Sequence, residues 1–270
     1  MTPFAETLKS WRNRQRMSQM ALALSAEVST RHVSYLETGK ASPSREMVLR
    51  LAEALRVPVH ARNDWLTSAG YAPVFQRRDL DSEALRPFMA AVEHVIARHD
   101  PFPAWVLDAD WRIIRVNQTG EILLGVLVIA PGDNLVSALT DDPSRGGLIE
   151  SWRETVAHLS ARLSAEARRR NDPKTAEAAR ALAAHWPHDD VSAPDTPAKT
   201  TVISLNRKRL ELISIQAVFN TATDLSLADL RTELFYPVDA NSERALETLF
   251  VRTGASSAKA AGGGAPSLRP

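Results

Sequence analysis

The chain has 270 residues, no cysteine, and 33 Lys+Arg against 32 Asp+Glu. That length allows two small domains with a real core, and the missing cysteine excludes disulfide and thiolate chemistry. The balanced total hides an asymmetry: residues 1–78 carry 12 basic against 6 acidic side chains, and the remainder 21 against 26. A basic amino-terminal part suits phosphate contact; an acidic remainder does not.

The first helix is expected over Phe4 to Gln15, with Phe4, Leu8 and Trp11 inward. Ser18 can cap a second helix and Ser29 a third by accepting from free backbone N–H groups. Met20, Ala21, Leu24 and Val28 recur at helical spacing and give the second helix its inner face. In the third helix Val33 and Leu36 turn inward, which leaves Thr30, Arg31, Ser34 and Tyr35 outside near the helix start, with His32 at the third helical position. Gly39 suits the left-handed position after the helix. Ser42-Pro43-Ser44 begins a fourth helix with Val48, Leu49, Ala52 and Leu55 on one face, and a fifth spans about His60 to Ala69. Short turns between such helices make a helix-turn-helix, a unit whose second helix enters the major groove of DNA. Gly70 to Ser82 reads as a tether.

Arg86 to His99 is a helix with Phe88, Val92, Val95 and Ile96 inward. Ala104–Leu107 and Arg112–Val116 form a hairpin around Asp108-Ala109-Asp110, and Asn117–Leu124 a short helix. Leu148 to Arg168 carries the stripe Leu148, Trp152, Val156, Leu159, Leu163, and Pro173 begins a helix to Trp186. Thr201–Leu205, Leu210–Phe219 and Leu230–Tyr236 read as strands, and Asn241–Phe250 as the last helix. A hairpin, a helical insertion and further strands imply an α+β unit with a small antiparallel sheet and helices packed to one side. GASSAKAAGGGAPSLRP is expected to be disordered.

The run SQMALALSAEVSTRHVSYLETGKASPSREMVLRLAEAL resembles the phage-repressor-like (XRE) helix-turn-helix regulators. It does so through Ser18-Gln19, Ala23, Val28-Ser29, Tyr35-Leu36-Glu37-Thr38-Gly39 and Pro43-Ser44. GYAPVFQRRDLD, PAWVLDADWRIIRVNQTGEILLG, IESWRETVAHLSARL and FNTATDLSLADLRTELFYPVD resemble the linker and ligand-binding domain of MmyB-type regulators. That resemblance covers Phe4 to about Ala245 and implies a PAS-like second domain holding a fatty-acid-like apolar ligand. Asn206-Arg207-Lys208 stands where the family usually has a turn glycine; Asn tolerates the left-handed backbone.

The expected layout is an all-α five-helix DNA-binding domain at 1–72, a linker at 73–84, an α+β PAS-like domain at 85–250 and a disordered tail at 251–270. Double-stranded DNA is the expected partner. Gln19, Ser29, Thr30, Arg31, His32, Ser34 and Tyr35 are the candidates at or near base edges, and Arg12, Arg16 and Lys40 the candidates for phosphate. Trp105, Ile113, Leu123, Trp152 and Phe219 are candidates to line an apolar cavity, although aromatics on such faces are also ordinary core. Asn117 and Arg162 are candidate polar groups in it, Arg162 toward a carboxylate head group. One short helix reads few bases, so a homodimer on a two-fold site is expected.

His185-Trp186-Pro187-His188 lacks the helical geometry and the further ligands of a metal site. Asp141-Asp142 and Asp189-Asp190 read as solvated turns, not an acid/base pair. No nucleophile signature or phosphate-cradling loop is present, so no cofactor and no enzymatic activity are expected. MTPFAETLKSWRNR lacks a signal-peptide core and GEILLGVLVIAPG is too short to span a membrane, so a cytoplasmic location is expected. The rival to ligand control is a second domain that only dimerises or binds a protein partner.

Overall fold

The computed structural model describes residues 2–140, 148–170, 173–184, 200–205, 208–219 and 222–261. Two compact units emerge: residues 1–79 with 219–228, and residues 80–218 with 229–270.

The first unit holds α1 (Pro3–Arg14), α2 (Gln19–Ser25), α3 (Thr30–Glu37), α4 (Arg45–Ala54) and α5 (Val59–Ser68). Four of these start on a hydroxyl cap: Thr2, Ser18, Ser29 and Ser44 each accept from a backbone N–H three residues on. All five end in a left-handed residue: Arg16, Glu27, Gly39, Arg56 and Gly70 have φ of 53°, 54°, 72°, 51° and 83°. At the end of α1, for example, Met17 N–H bonds Arg12 O at 3.1 Å and Arg16 N–H bonds Asn13 O at 3.0 Å, which satisfies two otherwise orphaned carbonyls. The core closes on Leu8, Leu22, Leu36, Leu51 and Trp65, with the rings of Phe4 and Trp11 edge-on to Trp65.

The inner face of α2 differs from the sequence expectation. Leu22, Ala23 and Ala26 are buried, whereas Met20 and Leu24 are 70% and 82% exposed. The two alanines let α2 lie close to its neighbours, and that close approach turns the larger Met20 and Leu24 outward.

A buried carboxylate ties three helices together. Glu37, at the end of α3, accepts from Arg12 Nε at 2.6 Å, Arg12 Nη2 at 3.0 Å and Gln19 Nε2 at 2.7 Å. Burial opposes its ionisation, but the hydrogen bonds from Arg12 and Gln19 and the charges of Arg12 and Lys9 outweigh that and hold its carboxyl below the usual value.

The stretch after α5 is anchored. Asn63 Oδ1 accepts from Val74 and Phe75 N–H, and Tyr71 Oη donates to Pro43 O. Further on, Arg78 pairs with Asp224 at 2.8 Å, Leu225 N–H donates to Gln76 O, and Ser226 Oγ donates to Arg78 O. Segment 219–228 thereby completes the first unit; a short helix, α11 (Leu225–Asp229), begins in it.

The second unit opens with α6 (Arg86–Ala97). Its buried side chains are Met89, Val92 and Ile96; Phe88 and Val95, expected inward, are 46% and 47% exposed. The buried set steps i, i+3, i+7 and gives a narrower stripe than the sequence suggested, so the flanking positions face out. Strands β1 (Ala104–Leu107), β2 (Ile113–Val116), β3 (Thr201–Leu205), β4 (Lys208–Ala217) and β5 (Arg231–Pro237) form one antiparallel sheet in the order β2-β1-β5-β4-β3. Between β2 and β3 come α7 (Gln118–Val126), α8 (Leu135–Thr140), α9 (Trp152–Arg170) and α10 (Pro173–Ala184). A Cβ on Gly120 would sit 2.7 Å from Ala104 O, so α7 can approach β1 this closely only with glycine there.

The last helix, α12, runs Ala240–Ala261 and carries helical structure past residue 251, where a disordered tail was expected. Residues 262–270, the 185–190 His-Trp-Pro-His-Asp-Asp run, Asp141-Asp142 and the 206–207 turn lie outside the described residues.

Replacing Glu37 with Ala strips Arg12 and Gln19 of a buried acceptor and should lower first-unit stability by about 3 kcal/mol, read by urea unfolding. Because the folded-state pKa of Glu37 is depressed, its contribution should be full above the unfolded carboxyl value and fade as pH falls through the folded one. Glu37→Gln should flatten that acid limb.

Candidate functional site

Two regions concentrate the functional side chains. The first is α3. Ser29 caps it through His32 N–H at 3.1 Å, which commits its hydroxyl to the helix start. Thr30 and Arg31 are exposed, and His32, Ser34 and Tyr35 half-buried. Arg31 Nε donates to Tyr35 Oη at 2.9 Å and its guanidinium lies 5.1 Å from the ring centroid. Lys40 Nζ lies 6.0 Å from the same ring. Tyr35 therefore gathers two cations beside one outward face, and positive charge of this kind attracts phosphate.

Arg12 and Gln19 are placed differently from their expected roles. Both side chains point to Glu37, and Arg12 Nη1 also donates to Met17 O at 2.7 Å. Their donors are used to hold α1 and α2 against α3. Arg16 stays exposed, at the left-handed position after α1.

The second region is a cavity of about 330 Å³ inside the second unit, between the sheet and helices α7 to α9. Its wall is mostly apolar, with Leu107, Leu124, Leu127, Leu139 and Ile203 among the lining residues. Of the seven residues expected to line such a cavity, Trp105, Leu123 and Arg162 do. The other four have different positions. Ile113 is fully buried core, and Trp152 packs in the same core cluster outside the cavity wall. Asn117 caps α7: its Oδ1 accepts from Gly120 and Ala104 N–H, and its Nδ2 donates to Phe102 O. Phe219 belongs to the segment that completes the first unit. Each is apolar or local in its bonding, and sequence periodicity cannot separate cavity wall from ordinary core.

The polar part of the cavity is built by α9 and β5. Arg162 Nη2 donates to Glu233 Oε1 at 2.5 Å, and Gln216 Nε2 donates to the same oxygen at 3.2 Å. One helical turn on, Glu166 pairs with Arg231, whose Nη1 also donates to Asp108 O at 2.6 Å. Trp111 lies against both arginines, with ring-centroid distances of 5.3 Å to Arg162 and 5.0 Å to Arg231. Its backbone takes φ 65°, an uncommon state for a bulky residue, reached because Asp108 Oδ1 accepts from both Asp110 and Arg112 N–H and tightens the β1–β2 turn. Exposed Glu154 and His158 on α9, with Thr155, Thr200, Thr201 and Ser214, complete the polar lining; the Thr200 hydroxyl donates to Glu211 Oε1 and that of Thr155 bonds Ser151 Oγ.

Residues 3–65 match the model of a helix-turn-helix domain, and residues 88–249 match that of the MmyB-like transcription regulator ligand binding domain. The chain belongs to the MmyB-like transcription regulators. It is a DNA-binding regulator with a small-molecule-binding domain. Among solved structures, the PAS domain from Bordetella pertussis BvgS is 11% identical, over 62% of this chain and 98% of that one, at a TM-score of 0.28. No protein in the curated comparison matches. No described helix of this MmyB-like regulator is long and apolar enough to cross a membrane.

Sequence reasoning missed Glu233 and Ser214 as cavity-lining residues. A signal was present for the first: Arg231 and Glu233 alternate with Thr232 and Leu234 on a strand otherwise rich in apolar residues, and Arg162 and Glu166 stand four apart on the helix that faces it. The cavity of the regulator should take up an uncharged naphthylamine dye, with quenching of tryptophan emission. Leu159→Trp, which fills the wall from α9, should weaken that uptake at least tenfold and cost about 1–3 kcal/mol of stability by overpacking.

Proposed function

We propose that this regulator binds a specific operator through α3 and that a small apolar, fatty-acid-like ligand in the second unit sets its DNA affinity. The observation carrying the proposal is the mostly apolar cavity of about 330 Å³ between the sheet and helices α7 to α9 of the ligand-binding domain, a size in the range of small-molecule sites. A ligand shifts the DNA-binding equilibrium only by its differential affinity for the two states. Thr30, Arg31, Ser34 and Tyr35 are the proposed readers of base edges, with Arg16 and Lys40 on phosphates. The helix-turn-helix is proposed to be of the XRE type and the sensor PAS-like. The protein is proposed to act in the cytoplasm as a homodimer on half-sites roughly 34 Å apart. Exposed apolar Val95, Ile215 and Val218 on the second unit favour self-association as an additional role of that unit.

Operator selection from random duplexes, followed by affinity measurements, tests this. Arg31→Ala should cost about 1–3 kcal/mol on the selected site and relax its sequence preference. Arg16→Ala should weaken all duplexes alike and lower the salt slope by about one. An equal loss on every sequence for both variants would make Arg31 a phosphate contact. A selected site without two-fold symmetry, with a monomer in sedimentation, would remove the dimer.

A further inference from the structure

Two charged groups at the cavity wall, Arg162 and Glu233, are paired with each other, and this restricts any head group that settles beside them. Arg162 gives Nη2 to Glu233, which is buried to 5% exposure against 29% for the arginine. Gln216 adds a second donor to the same carboxylate oxygen. The guanidinium is held over Trp111 on one side and by its carboxylate on another. An anionic head group that took Arg162 would strip Glu233 of its counter-ion and set a second negative charge beside a buried carboxylate. An ammonium head group would meet Glu233 but face the fixed guanidinium. A neutral head group leaves the pair intact: it can accept from the remaining N–H groups of Arg162 and donate to a lone pair of Glu233. Thr201 and Ser214, along the same wall, carry hydroxyls able to serve either role.

We infer that the cavity selects an uncharged amphipathic molecule with an apolar body and a head group that both donates and accepts, a hydroxyl or a carboxamide, over the matching carboxylate. This rests on the proposal that the cavity is the ligand site, and it narrows the fatty-acid-like ligand proposed there to one that keeps the apolar chain but carries a neutral head in place of the carboxylate. Its volume of about 330 Å³ is roughly twice the ~150 Å³ that holds a benzene, which sets the size at roughly a dozen non-hydrogen atoms.

The test uses the full chain at pH 8 with a matched set: decanol, decanamide, decanoate, decylammonium and the naphthylamine dye. Binding is read by calorimetry and by tryptophan quenching. Decanol or decanamide should bind at least fivefold more tightly than decanoate and decylammonium, and Glu233→Gln should strengthen decanoate binding at least fivefold. A smaller wild-type preference, or one reversed toward decanoate, overturns the head-group inference while dye binding leaves the cavity standing as the site. If neither the dye nor any of the four ligands binds, the ligand-site reading falls and this inference with it. The wild-type series decides alone if Glu233→Gln does not fold.

Discussion

Two ion pairs cross from α9 to β5, and the ligand-binding unit is organised around them. On the helix the order is Arg162 then Glu166; on the strand it is Arg231 then Glu233. Only one alignment pairs opposite charges. Sliding the helix by one turn would set arginine against arginine or carboxylate against carboxylate deep in the unit. A buried ion pair contributes little net stability once desolvation is counted, but a mismatched one is costly, so these pairs fix where α9 lies on the sheet. They also hold the helix off the strands by the length of two long side chains and a tryptophan ring. An all-aliphatic interface would close that gap; this one leaves an apolar space beside it.

The DNA-reading unit uses the same device on a smaller scale. Glu37 sits where α1, α2 and α3 meet, and its two oxygens accept three donors from the other two helices. Hydroxyl caps start four of its helices and left-handed residues end all five, so the turns are specified locally. What the local signals leave open, the relative placement of the three helices, the carboxylate supplies. A rigid α3 is what groove reading needs, because a base contact misplaced by a fraction of a bond length loses its hydrogen-bond geometry.

Much of this was legible in the sequence because the signals are local. Ser18 and Ser29 mark helix starts by their side-chain hydroxyls and Gly39 a helix end by its backbone freedom, and the stretches 104–107, 201–205 and 230–236 read as strands. The misreadings share one cause. Met20 and Leu24, or Phe88 and Val95, occupy helical spacings that fit an inner face as well as their neighbours do, and only the packing partner decides between them. Arg12 and Gln19 look like free polar groups until Glu37, far along the chain, is brought alongside. The cavity wall is the extreme case, since its leucines differ from core leucines only in what they fail to touch.

The first unit is not contiguous in the chain, and this gives the protein an order of assembly. Residues 1–79 leave the ribosome well before segment 219–228, and the partner of Arg78 is Asp224, beyond most of the ligand-binding unit. With about 140 positions between Asp79 and Phe219, a ribosome adding ~5–20 residues per second leaves the clasp on the linker unmade for roughly 7–30 s. During that interval the nascent chain already carries the residues of all five helices of the first unit, while the strand pair that flanks the clasp, β4 and β5, is still being made.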